Sequence, residues 1–349
     1  MSDSRFSFFA RGWRLATMSV LLLAGSSLYA LAYSPVAAAQ TVPAAKAYVG
    51  LFKDNAVAVL DTGSNQVLST IPVPPGPHGI VITPDGRWVY VSSDGASTVS
   101  VIDTNTDRIT NSIEVGQTPH GLAITPDGGM VLVAGFGTSQ VSAIATATNQ
   151  ILWRVGVANP HNFAISQDGK TAYVASQGQN APALATIDPT NGTLVGTMAL
   201  DNTPRALNVS PDGQELFFTV AGVDAVQVLD LATNQIVDQI PVGASPHLPS
   251  FTPDGNLGLV VAQGPGELGL VGPEAYKSVG TVKVGTMPHW TATTADSNTA
   301  FVTNEASNDL SVIDLGSRTV TATIPIGNGP RKIVVQQTMT ARTAAALDQ

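Results

Sequence analysis

Cysteine is missing from all 349 residues. The chain therefore forms no disulfide and offers no thiolate to a metal, and an oxidising compartment poses it no hazard. Charge is also scarce, at 12% of residues, and the 16 Lys and Arg are outnumbered by 25 Asp and Glu, for a formal net charge of −9. Without a basic stripe there is little to release counterions from a phosphate backbone, so nucleic acid and anionic membranes are disfavoured as partners. No nucleophile elbow, P-loop, dinucleotide fingerprint or Asp-x-Asp-x-Asp calcium loop occurs, which removes the common hydrolase, nucleotide and calcium-binding signatures. Aromatic residues are only 6%.

Against these absences stand 44% hydrophobic residues, 33 glycines and 23 prolines. Enough apolar material for a large core, cut by many turn formers, suits short strands better than helices. Residues 1–39 read as an export signal. Arg5, Arg11 and Arg14 precede an apolar stretch from Leu15 to Tyr33, and Ala37-Ala38-Ala39 offers small residues for cleavage before Gln40. An uncleaved membrane anchor is the alternative, opposed by the break at Gly25-Ser26-Ser27. Cleavage after Ala39 removes those three arginines and Asp3, taking the formal charge from −9 to −11. Residues 40–45 would then be a linker, and the mature protein would be exported, periplasmic or extracellular, with no membrane span.

Internal self-similarity is the strongest signal. Pro-His pairs place His78, His120, His161, His247 and His289 at separations of 42, 41, 86 and 42. The long gap is two periods, with Arg205 at the missing position, and Arg331 continues the series 42 residues after His289. All seven positions follow a proline. A second marker runs in step: Asp61, Asp103, Asp188, Asp230 and Asp314 end apolar runs, with Ala145 and Gly272 in the two other repeats. These aspartates suit turn caps rather than catalysis. A third marker, Pro-Asp-Gly at 84–86, 126–128, 211–213 and 253–255, becomes Gln167-Asp168-Gly169 and decays to Ala295-Asp296-Ser297.

One period holds four strands, for example 78–83, 88–92, 98–103 and 108–115. Four-stranded units of this length cannot bury both faces alone and pack radially about an axis, as propeller blades do. The chain opens with only three strands (47–50, 56–61 and 66–72) and closes with one (331–336), which together complete a seventh blade and satisfy otherwise open edges. The expected fold is therefore all-β, a seven-bladed propeller over residues 46–337 with four antiparallel strands per blade, followed by a disordered tail at 338–349.

Segments such as Trp88-Val89-Tyr90-Val91-Ser92 and Ala300-Phe301-Val302-Thr303-Asn304 resemble the YVTN β-propeller repeat. The whole resembles a YncE-like periplasmic protein, in a superfamily that also resembles the propellers of nitrous oxide reductase and haem d1 nitrite reductase. The resemblance implies fold more than function, because propellers host many activities. DNA binding, which YncE-type relatives suggest, conflicts with the acidic charge. Nitrous oxide reductase offers an analogy of inward histidines around copper. This chain has five histidines rather than seven and no cysteine-bearing electron-transfer domain, so reductase activity is not expected.

Every histidine occupies the same repeat position, at the opening of each blade's innermost strand, where side chains ring one mouth of the central channel. The order around the ring is His78, His120, His161, Arg205, His247, His289, Arg331. Neutral imidazoles converging on an axis could hold copper or zinc, with His78, His120 and His161 the first-choice set and His247 and His289 either completing it or forming a second half-site. Arg205 and Arg331 instead point to an anionic ligand such as a carboxylate or phosphate. The third possibility is that Pro-His is repeat consensus and each imidazole bonds a neighbouring blade's backbone. Loop residues Asp94, Phe136, Gln177, Gln263, Asn304 and Glu305 share the rim, and the charge of Asp94 and Glu305 could balance a cation. Trp290 is expected to pack between blades. The leading function is a monomeric exported binding protein for a metal ion or small ligand. The alternatives are a lyase or lactonase using a ring histidine as general base, and a platform for an envelope protein partner.

Overall fold

The computed structural model describes residues 45–272 and 276–337. The expected export signal, most of the linker and the tail lie outside the described residues. No helix among the described residues is long and apolar enough to cross a membrane.

Seven four-stranded antiparallel sheets form seven blades. In blade 1 the strands are Pro77–Ile82, Trp88–Ser93, Thr98–Asp103 and Arg108–Glu114, within a residue or so of the boundaries read from the repeat. Blades 2 to 6 follow in chain order. Blade 7 joins the ends of the chain: Pro330–Val335 pairs antiparallel with Lys46–Leu51, with Ala47 opposite Val335, Tyr48 opposite Val334 and Val49 opposite Ile333. The Tyr48, Val49 and Ile333 side chains are essentially inaccessible, so closure is sealed by apolar burial as well as by the ladder.

Tight turns hold the strands in register. The third residue of each recurring Pro-Asp-Gly turn has positive φ, as at Gly86 (70°) and Gly255 (73°), and the decayed copy keeps that conformation at Ser297 (60°). The repeated aspartates cap turns as expected: Asp61 Oδ1 accepts from the backbone of Gly63 (3.0 Å) and Ser64 (2.7 Å), and Asp314 Oδ1 from Ser317 N (2.6 Å).

The core lies between blades. Tyr48, Val57 and Val59 of blade 7 pack with Ile80, Val89, Val91 and Ile102 of blade 1, and Tyr90, Val99 and Val101 of blade 1 pack with Leu122, Val131 and Val133 of blade 2. The tyrosines also latch neighbouring blades: Tyr48 Oη donates to Asp107 Oδ1 (2.7 Å) and Tyr90 Oη to Asn149 Oδ1 (2.8 Å). The outermost strands are mostly exposed. Innermost strands of successive blades touch one another around the ring, bringing the repeated His/Arg position to the axis.

Candidate functional site at the channel mouth

Local sequence explains why the ring side chains are free to converge. Each innermost strand starts with proline, which has no N–H to give the ladder. The pairing register then slips between that proline and the residue two or three positions on: Pro77/Ile80, Pro119/Leu122, Pro160/Phe163, Pro204/Leu207 and Pro246/Pro249. The histidine or arginine falls inside this irregularity, where the ladder does not dictate its direction. Glycine follows His78 and His120. A Cβ at Gly79 would overlap the His120 carbonyl, and one at Gly121 the His161 carbonyl, so these glycines let adjacent innermost strands approach closely. Hydroxyls on second strands fix the same carbonyls: Ser92 donates to His120 O, and Thr219 to His247 O at 2.6 Å.

All five imidazoles cluster. Ring centroids are 3.6 Å apart for His78 and His120, 4.1 Å for His120 and His161, and 4.4 Å for His247 and His289. His78 also lies 6.3 Å from His161 and 6.0 Å from His289, so the two runs of histidines meet across the position of Arg331. His78, His247 and His289 are buried.

A backbone carbonyl settles one tautomer: His120 Nδ1 is 3.2 Å from His161 O, and a carbonyl can only accept, so that Nδ1 carries the proton and Nε2 presents a lone pair. His161 Nδ1 faces both an acceptor, Arg205 O at 2.8 Å, and a donor, Asn162 Nδ2 at 2.9 Å. Consensus packing against the next blade's backbone thus operates at these two positions. It does not at the others: Nδ1 of His78, His247 and His289 is buried without a hydrogen-bond partner among the described residues.

Burial in a cluster of like groups holds the imidazoles neutral. Desolvation, then the neighbouring His120 and Lys332, pushes His78 well below 6.5; desolvation, then His247, Arg331 and Lys332, does the same to His289. Desolvation also lowers His247 to about 3 and His161 to about 4. The 3.8 Å approach of His120 Nε2 to Asp94 Oδ2 is therefore no ion pair at neutral pH, because desolvation and His161 push His120 down to about 2. Asp94 itself is pushed up to about 7 by burial, against the pull of Arg331 and Lys332, and its Oδ1 has no partner.

The expected rim residues divide. Asp94 joins the cluster: ligand atoms of His78, Asp94 and His120 lie within 4.8 Å of one another. Phe136 sits 6.0 Å from the His120 ring. Glu305 is taken by Arg331, whose Nε (3.2 Å) and Nη2 (3.0 Å) donate to Glu305 Oε1 while the guanidinium lies 3.5 Å over the Phe52 ring. Arg205 Nη1 donates to Ser245 Oγ (3.1 Å), with Gln263 Oε1 behind it (3.4 Å). Gln177 bonds Pro204 O (2.7 Å), whereas Asn304 bonds Asp309 and Ser311 of its own blade. Trp290 packs into the cores on both its sides, as expected.

One functional side chain escapes the histidine pattern. Lys332 follows Arg331 and is 2% exposed; its Nζ donates to Asn162 Oδ1 of blade 3 (2.6 Å) and lies 4.2 Å from the Trp290 ring centroid. Burial pushes its amine down to about 7. The signal was available one column further on: the residue after the ring position is Gly79, Gly121, Asn162, Ala206, Leu248, Trp290 and Lys332, so a single charge stands in a small, amide or apolar series.

Fold and site together define a seven-bladed β-propeller with an imidazole cluster where the innermost strands begin. The family model for YNCE-like beta-propellers matches residues 44–129. No curated protein matches the chain. Among solved structures the chain is similar to hydrazine synthase of Kuenenia stuttgartiensis (20% identity, TM-score 0.70, covering 76% of this chain and 91% of that one). It is similar also to a functionally unknown protein from Desulfotomaculum acetoxidans (15%, TM-score 0.72, 84% and 99%) and to the dihydro-heme d1 dehydrogenase NirN (18%, TM-score 0.62, 81% and 64%). Identities this low establish the shared fold alone.

Proposed function

We propose that this chain is an exported, monomeric binding protein that holds one transition-metal ion, zinc or copper, at the channel mouth through His78, His120 and Asp94. The observation that carries this reading is the convergence of two imidazoles from adjacent innermost strands and a turn carboxylate, with ligand atoms within 4.8 Å of one another. Ligand bonds of about 2.0–2.2 Å at tetrahedral angles separate donors by roughly 3.4 Å, so the 3.8 Å between His120 Nε2 and Asp94 Oδ2 closes with a small side-chain adjustment.

The chemistry of the donors agrees. Imidazoles already neutral at pH 7 lose no proton on binding, and the Nδ1–H bond to His161 O aims the His120 Nε2 lone pair as a carbonyl partner does in histidine metal sites. Asp94 has an unpartnered buried oxygen that a cation would satisfy. His161 and His289, each within about 6 Å of the His78 ring, stand ready as further donors. Arg331 opposes a cation least because Glu305 neutralises it. The expected tri-histidine set shares this cluster, with Asp94 better placed than His161 as third donor. General-base catalysis by a ring histidine is less favoured, since imidazoles held far below neutral are weak bases.

Protein stripped with chelator, loaded with zinc or copper and desalted should retain close to one equivalent of metal per chain by elemental analysis. Metal at background level for both ions would refute the reading.

A further inference from the structure

The half of the mouth around His161 and His247 carries the positive charge of both Arg205 and Lys332. Arg205 and Lys332 make no ion pair among the described residues, where Lys46 pairs with Asp107, Lys170 with Asp168 and Arg331 with Glu305. Lys332 is buried almost completely, Asp94 acts on it only from beyond ion-pair distance, and a buried ammonium without a contacting carboxylate is costly unless an anion accompanies it. Asn162 lies between the two residues: its Oδ1 accepts from Lys332 Nζ (2.6 Å) and its Nδ2 donates to the Arg205 backbone carbonyl (3.0 Å). His161 and His247 flank them, and the buried Nδ1 atoms of His247 and His289, without protein partners, can each supply an N–H to an acceptor.

We propose that this half of the channel mouth binds a small dicarboxylate, with one carboxylate in the Arg205 guanidinium fork and the other facing the Lys332 ammonium. Two cations outside any ion pair match two carboxylates, and the planar guanidinium suits a carboxylate's paired oxygens. The depressed basicity of Lys332 fits the same picture, because a bound anion restores the charge that burial penalises. The subsite uses neither His78, His120 nor Asp94 and does not depend on a metal.

Malonate is the probe, titrated calorimetrically into chelator-treated, metal-free full-length protein, with acetate and inorganic phosphate in parallel. Malonate should bind, acetate at least about tenfold more weakly; Arg205→Met and Lys332→Met should each weaken malonate about tenfold or more, and Arg205→Lys less than Arg205→Met. Zinc retention by Arg205→Met, unchanged from the parent, shows that the variant is folded and that the two subsites are separate. No malonate binding by the parent, binding unchanged in Arg205→Met, or phosphate binding as tightly as malonate would overturn the proposal. A parent that fails to retain zinc yet binds malonate in an Arg205-dependent way would refute the metal reading alone.

Discussion

Acidifying the metal-free protein from pH 7 to pH 5 should cost most of its folding free energy, with half the molecules unfolded near pH 5. All five imidazoles resist protonation in the folded state, whereas in the unfolded chain they titrate near 6.5. The unfolded chain therefore binds more protons below pH 6.5, and stability falls as pH falls, by up to about 1.4 kcal/mol per pH unit for each histidine. Asp94 acts in the other direction. Its carboxyl is raised from 3.8 to about 7 by burial, so the folded state takes up that proton first and offsets one of the five histidines between those values. Four net protons over 1.5 pH units correspond to roughly 8 kcal/mol, which is comparable with the whole stability of a typical domain. Lys332 extends the trend on the alkaline side: the unfolded amine binds its proton below 10.5 and the folded one only below about 7, so stability should also rise as pH rises from 7 towards 10. Urea unfolding across this range reads the effect. A midpoint that stays constant from pH 7 to pH 5 would mean that the imidazoles are not buried together.

The second large effect concerns His120. Replacing it with alanine should reduce zinc affinity about 100-fold, equivalent to about 2.7 kcal/mol, because it removes one of three donors and the ring that packs against both His78 and His161. His247→Ala, in the other run of histidines, should leave zinc affinity within a few-fold of the parent. Competition with a chromophoric chelator separates the two variants; equal losses would place the metal elsewhere or attribute the effect to general disruption of the mouth.

Much of this architecture was legible before any coordinates. The period of the Pro-His pairs and of Asp61, Asp103, Asp188, Asp230 and Asp314 set the blade count, and three unmatched strands at one end with one at the other required a shared closing blade. Turns were legible for a physical reason: a left-handed residue at Gly86 or an Asx cap at Asp61 is a local requirement that a repeat must preserve. Convergence of the histidines followed from symmetry alone. What remained hidden depends on contacts across the channel, between residues far apart in sequence. Arg331 reads as an anion ligand until Glu305, 26 residues earlier, is found against it. Lys332 meets Asn162 170 residues away, and no periodicity marks that pair. The choice of Asp94 over His161 as third donor rests on the orientation of side chains, which brings ligand atoms of His78, Asp94 and His120 within 4.8 Å of one another.

Convergence on the axis becomes chemistry only if donors from different strands can grip one ion. The most direct test is an anomalous difference map from crystals grown with zinc and measured on both sides of the zinc edge. The account predicts one peak per chain, about 2.0–2.2 Å from a nitrogen of His78, Nε2 of His120 and an oxygen of Asp94. A mouth without density, or peaks confined to surface carboxylates, would contradict it.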